Sequence, residues 1–289
     1  MIENILIVFA VLVVFIVIDS FYENRHFKIT GYDIKSSKIP EGFEGFKLVV
    51  LSDLHNHVYG KANESLVEAI KKEKPDMVIF AGDILTAYDE GDFTPALSLV
   101  ERIAGEFPSV MAFGNHEYRM VLYPEKYKRS FSEYRELTKK AGATWLDNET
   151  LFLERGQKKL AITGLRLDKA YYGRLKLKPM DEAYLDSICP FNDRSIFQIL
   201  LAHNPDYFPN YAEYGADLVI SGHVHGGMIR LPFLGGVVSP MLKLFPKYDR
   251  GLYESGGSNM ILSAGLGNHS IKMRINNPAE LVVINLHSR

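Results

Sequence analysis

From Asn4 to Ile18 the chain carries no charge, and Ile5–Ile18 is an unbroken apolar run with no polar face. A core helix at a protein surface would show such a face. A bilayer span takes about 20 apolar residues, a length the run reaches if Ser20, Phe21 and Tyr22 extend it to the interface. No Lys or Arg precedes the run and no small-x-small cleavage site follows it. That favours an uncleaved anchor at a cell membrane over a signal peptide. Arg25 and Lys28 after the run, against Glu3 before it, lean toward a cytoplasmic domain but leave the membrane face open.

Residues 19–45 are polar and glycine-containing, with a short strand expected near Phe27–Tyr32. Beyond them the pattern changes period repeatedly. Phe46–Ser52, Asp76–Ala81 and Ser109–Phe113 are short apolar runs that predict buried strands. Between them, Ala62–Lys72 and Pro95–Ile103 show helical spacing, giving β-α-β-α-β, the grammar of a parallel sheet. A helix is expected over Phe131–Lys140, and two strands, Thr150–Glu154 and Lys159–Thr163, around a turn at Gly156. Residues 165–190 read as loop and short helix. Phe197–Ala202 and Asp217–Ser221 are again buried strands, and the tail adds Met228–Leu231, Met260–Ala264 and Leu281–Leu286. No repeat or domain-splitting linker follows residue 45, so the organisation reads as an anchor (1–22), a connection (23–45) and one domain (46–289).

Composition adds little. Apolar residues are 47% and the formal net charge is −2, so no overall charge draws the chain to a polyanion, and no basic-aromatic track marks a nucleic-acid binder. The single cysteine, Cys189, excludes an internal disulfide framework and a thiolate zinc cluster.

The chemistry lies where the strands stop. Asp53 and His55 follow the first strand, Asp83 the second, Asn115 and His116 the third, His203 the fourth, and His223 and His225 the fifth. In an open α/β sheet the carboxyl ends of the strands form the ligand crevice, so side chains far apart in sequence converge. Two carboxylates, an amide oxygen and four imidazoles make a nitrogen and oxygen set suited to Mn, Fe or Zn. Seven donors exceed one tetrahedral ion and suit two divalent ions sharing a carboxylate, a clamp for in-line displacement at phosphorus.

Taken in order, Asp53-Leu54-His55, Gly82-Asp83, Gly114-Asn115-His116-Glu117, Ala202-His203 and Gly222-His223-Val224-His225 resemble the signature of the calcineurin-like metallophosphoesterase superfamily. The resemblance implies an α/β fold of two mixed β-sheets packed as a sandwich and flanked by helices. It implies that Asp53, His55 and His225 bind one metal, that Asn115, His203 and His223 bind the other, and that Asp83 bridges them. His116 is implied as proton donor to the leaving oxygen, or as stabiliser of the transition state. The tail, from Gly226-Gly227-Met228 to Arg274 and Pro278, resembles the N-terminally anchored branch, which includes phosphodiesterases and UDP-2,3-diacylglucosamine pyrophosphatases.

The leading expectation is therefore a membrane-anchored hydrolase of phosphodiester or pyrophosphate bonds, with a lipid-linked nucleotide such as a UDP-acylsugar as substrate. A phosphomonoesterase on the same site and a non-catalytic metal-bound scaffold are the alternatives; the full donor set and His116 argue against the scaffold. Arg230, Arg250 and Arg274 read equally as phosphate clamps or as ties of a C-terminal loop to a carboxylate. The Ser239–Tyr248 segment reads equally as a bilayer contact or as a packed flap. Of the remaining histidines, His57 is placed to reach substrate or to support a ligand, His269 to line the cleft at most, and His26 and His287 lie near the ends.

Overall fold

Strands that are apolar on both faces require a layer on each side. The computed structural model, which describes residues 1–88, 92–173, 177–189, 193–268 and 272–288, supplies them as helix, sheet, sheet, helix. In the first sheet the strands run, edge to edge, Phe27–Ser36, Ala279–Ser288, Phe46–Leu51, Met77–Phe80, Ser109–Ala112 and Ala143–Leu146. The last four are mutually parallel. In the second sheet the order is Gly251–Ser255, Ser258–Leu262, Leu218–Ser221, Gln198–Ala202, Lys158–Leu165 and Glu149–Arg155, parallel at its centre and antiparallel at both edges. The mixed-sheet sandwich implied by the motifs is the fold observed.

Alternation along the strands explains the layering. Leu48 and Val50 point to the inter-sheet core with Ile79, Ile199, Leu201 and Ile220. Val49 and Leu51 point the other way, onto Leu66, Ile70, Leu99 and Ile103 of the helices Glu64–Glu73 and Thr94–Ala104. On the far side, Leu200 and Val219 meet Leu185 and the aromatic face Phe208, Tyr211 and Tyr214. That face belongs to the helix Phe208–Tyr214, which the prolines at 205 and 209 hid from the sequence reading. Also missed were the short strands Ala143–Leu146, Gly235–Val238 and Gly251–Ser255, and the helix Asn115–Leu122, which begins on the Gly-Asn-His motif itself.

The connection departs furthest from expectation. The strand near Phe27–Tyr32 extends to Ser36 and pairs in parallel with Ala279–Ser288 along its whole length, so the connecting segment is built into the first sheet. The N-terminal helix runs Ile2–Glu23, about 33 Å at 1.5 Å per residue. With a mean hydropathy of 2.8, it is long and apolar enough to cross a membrane, and the domain covers none of its apolar stretch.

Candidate metal centre

Five of the seven expected donors sit in left-handed backbone: Asp53 (φ 50°), His55 (51°), Asp83 (52°), His223 (73°) and His225 (54°). Non-glycine residues avoid this region, and such strain is held only where the surroundings enforce it. Two glycines make room. A Cβ at Gly114 would collide with the Asp83 backbone nitrogen and carboxylate, and one at Gly222 with Ser52 Oγ and the Asp53 carboxylate. Glu117, fully buried, gathers the turns: its carboxylate accepts from the backbone N–H groups of Asp83 (2.9 Å), Ile84 (2.9 Å) and Gly114 (3.0 Å). It closes the Gly114-Asn115-His116-Glu117 motif, but the sequence assigned it no role, and only the fold shows it facing inward in the first turn of its helix.

All seven donors converge. Three overlapping groups have ligand atoms within 4.8 Å of one another: Asp53, His55 and His225; His55, Asp83 and His116; and Asp83, His203 and His223. Asn115 lines the same cavity. Asp83 Oδ2 lies 3.2 Å from His203 Nε2 and 3.8 Å from His55 Nε2, so one oxygen faces both sides of the centre. Its other oxygen, Oδ1, accepts the His116 backbone N–H at 2.7 Å. Asp53 Oδ1 is 3.3 Å from His225 Nε2. Asp53 itself is oriented by Ser52 Oγ at 2.6 Å and by the His223 N–H at 2.9 Å.

The tautomers fit a cation. Nδ1 of His203 lies 3.0 Å from the Ala81 carbonyl, and Nδ1 of His225 lies 3.0 Å from the Gly267 carbonyl. A carbonyl only accepts, so each Nδ1 carries hydrogen and each neutral ring presents a lone pair at Nε2. His55 Nε2 lies 3.1 Å from His225 Nε2, so both rings turn the same nitrogen toward one point. His203 Nε2, His223 Nε2 and Asn115 Oδ1 are buried with no hydrogen-bond donor. The residues present thus fit divalent cations.

The electrostatics point the same way. Burial alone would raise Asp83, but the charge of His203 and its hydrogen bond hold it well below the usual carboxylate range. Burial alone would lower His203, yet Asp83 and Asp53 raise it to about 10. Burial depresses His223 strongly and His225 also, keeping both neutral. Without metal the site therefore draws a proton onto His203, and a cation arriving at Nε2 must displace it. Below pH 10 each unit of rising pH is expected to strengthen Mn²⁺ binding about tenfold through this proton alone. Calorimetry in buffers of differing ionisation enthalpy checks this by counting protons released.

The arginines singled out in the sequence lie outside this cavity. Arg230 pairs with Asp249 (2.8 Å), a tie to a carboxylate. Arg274 is buried and donates to the carbonyls of Ala264, Gly265 and Gly267, so it ties a loop to backbone. Arg250 also does not line the cavity; among the described residues, the lysine and arginine that line it are Lys169 and Arg119. Arg119 stands four residues after Asn115 on one helix face, a spacing visible only once that helix is recognised. The Tyr172 and His223 rings meet in a T-shaped contact, centroids 5.3 Å apart. Pro240 and Met241 roof the cavity, while Leu242, Leu244 and Phe245 beside them are exposed. The Ser239–Tyr248 segment is thus a flap with an apolar outer surface.

His57 packs against Tyr59 away from the donors, in a groove beside the N-terminal helix. His26 stacks on Tyr22, and His287 pairs with Glu44. His269 lies outside the described residues.

Comparison with known proteins agrees with this geometry. The family described as Calcineurin-like phosphoesterase matches residues 46–227. The Bacillus subtilis metallophosphoesterase YkuE is 30% identical, over 93% of this chain and 88% of its own. The Escherichia coli phosphodiesterase YaeI is 25% identical, over 83% of this chain and 82% of its own. A Danio rerio transmembrane protein with a metallophosphoesterase domain is 27% identical, over 89% of this chain but 56% of its own.

Proposed function

The chain belongs to the calcineurin-like phosphoesterase family and is a metal-dependent phosphoesterase, and from that premise we propose that it hydrolyses phosphodiester or pyrophosphate bonds in amphiphilic, lipid-linked substrates at a membrane surface. The carrying observation is the convergence of Asp53, His55, Asp83, Asn115, His203, His223 and His225 on one buried centre, where His55, Asp83, Asn115, His223 and His225 line a cavity. In this reading Asp53, His55 and His225 hold one divalent ion, Asn115, His203 and His223 the other, and Asp83 faces both. Such ions supply Lewis-acid charge to the phosphoryl oxygens and lower the pKa of an attacking water toward neutrality.

The remaining chemistry belongs to the chain's own residues. The Ala87 N–H donates to His116 Nδ1 at 2.9 Å. His116 therefore carries its ring hydrogen on Nε2 as a neutral imidazole. A neutral ring is a hydrogen-bond donor rather than a strong acid, so of the two roles implied for His116 this favours stabilising charge on the leaving oxygen. Arg119 and Lys169 at the mouth of the cavity meet the substrate's outer phosphate oxygens. Tyr172, whose hydroxyl burial keeps protonated, holds the plane of His223.

Support for a lipid-linked substrate comes from the groove along the N-terminal helix. Its walls are Ile16, Val17 and Phe21 on one side and His57 and Val58 on the other, and it ends at His55, which also lines the cavity. Arg25 and Lys272 flank it, and none of its described lining residues is acidic. An acyl chain fits the apolar wall while the cations receive phosphate.

The test is hydrolysis by the full chain in Mn²⁺. The substrates are bis-(p-nitrophenyl) phosphate, p-nitrophenyl phosphate, and a hexadecyl p-nitrophenyl phosphodiester in phosphatidylcholine vesicles. Cleavage of both diesters is expected; turnover of the monoester alone would make the protein a phosphomonoesterase. Reversing the groove's charge in Arg25→Glu/Lys272→Glu is expected to lower the vesicle-to-soluble ratio of kcat/KM about tenfold or more, one to two charge contacts at roughly 1 kcal/mol each. An unchanged ratio would remove the groove from the substrate's path.

A further inference from the structure

His225 lies in the least regular part of the centre. It opens three consecutive left-handed residues, His225, Gly226 and Gly227 (φ 54°, 69° and 79°), outside any strand or helix. Two glycines in such a run leave the backbone free to move unless something clamps it. The clamp is Asn277, fully buried, whose Nδ2 donates to the carbonyls of His225 (2.8 Å) and Gly227. The imidazole is held from the same loop. Arg274 Nη2 donates at 2.7 Å to the Gly267 carbonyl, which also accepts from His225 Nδ1.

That loop is in turn fastened to the last turn of the N-terminal helix. Asp19 Oδ2 accepts from the Asn276 N–H (2.8 Å), Ser20 Oγ from the Arg274 N–H (3.3 Å) and Glu23 Oε2 from the Asn277 N–H (2.5 Å). Asn24 Nδ2 adds a bond to the Lys272 carbonyl (3.3 Å). Glu23 is the buried residue of this helix, with Asp19 and Ser20 half-buried before it.

We propose that the turn Asp19–Asn24 is a working part of the metal centre, with Glu23, Asn277 and Arg274 as positioning residues for His225. The helix then does more than tether the domain: its docked end fixes the donor that completes the set with Asp53 and His55. The second set has other supports, since His203 is held by Ala81 and Asp83 by His116 and Glu117. The coupling is therefore selective for one ion. A residue that positions a ligand in this way typically changes metal affinity about 10–100-fold when removed.

The experiment uses the full chain in detergent micelles, with Mn²⁺ titrated calorimetrically and the two binding events resolved. The inference rests on the two-ion reading. A wild-type protein binding one ion or none overturns both, whereas two ions in the wild type leave the variants to decide this inference alone. Asn277→Ala is expected to weaken one ion at least about tenfold and the other less than about threefold. Glu23→Ala should weaken the same ion, and it carries the test if Asn277→Ala does not fold. Glu23→Gln should restore wild-type affinity, because its amide oxygen still accepts from the Asn277 N–H. Equal weakening of both ions, or a lowered Tm with both affinities unchanged, would reduce the contact to ordinary packing and overturn the proposal.

Discussion

Asp83→Ala is expected to lower kcat/KM by on the order of 10⁴-fold, about 5.5 kcal/mol of transition-state stabilisation, and to release metal. The carboxylate does three things that alanine cannot. Its Oδ2 faces His203 and His55 across the centre, its Oδ1 accepts the His116 N–H, and its charge raises His203 to about 10. Removing it takes the oxygen from between the two donor sets and leaves the His116 amide unpaired in a buried site. The left-handed turn at Asp83 is kept by the amides that donate to Glu117, so the fold should persist while the metal does not. Metal analysis of the purified variant beside its activity checks this. Full metal content with lost activity would contradict the bridging role.

His116→Ala is expected to lower kcat about 10²–10³-fold with metal content intact, the usual cost of deleting one preorganised donor to developing negative charge. The size should depend on the leaving group. With Nδ1 occupied by the Ala87 N–H, His116 offers Nε2–H to the departing oxygen. An alkoxide needs that hydrogen bond far more than p-nitrophenolate does, so the variant should lose more on an alkyl diester than on bis-(p-nitrophenyl) phosphate. His116→Gln, which keeps an N–H donor near the same place, should recover part of the loss. Equal losses on both leaving groups would remove His116 from the leaving-group side. Lost metal would instead make it a ligand, in the group it forms with His55 and Asp83.

Much of this site was legible in the chain because strands buried on both faces announce themselves as short apolar runs, and the polar residue that ends each run marks its carboxyl edge. Asp53, Asp83, Asn115, His203 and His223 each follow such a run within a residue or two, and the structure gathers all of them. Arg119, Lys169 and Asn277 left no comparable signal, and Glu117, though inside the Gly-Asn-His-Glu motif, gave no sign of its role. Each is placed by packing, and a glutamate or asparagine in a polar stretch looks the same whether it faces solvent or buried backbone. The arginines stayed open between two readings for a related reason: guanidinium matches phosphate, carboxylate and backbone carbonyl alike, and only the fold shows which partner it meets.

The sequence by itself determined the alternation of buried strands and helices, the donor types and the order in which they arrive, since these follow from local period and from the chemistry of side chains; the two-sheet layering was implied only by the motifs' resemblance. It also marked the N-terminal run as a membrane-length helix, a property of composition over one stretch. Tertiary structure decided how the pieces are held: the left-handed turns at the donors, the tautomers set by the carbonyls of Ala81 and Gly267, and the seating of Asp19, Ser20 and Glu23 on the loop beneath His225. Those contacts join residues as far as 257 positions apart. No local pattern encodes them, because a hydrogen bond is fixed by where two groups meet in space and only the folded core brings them there.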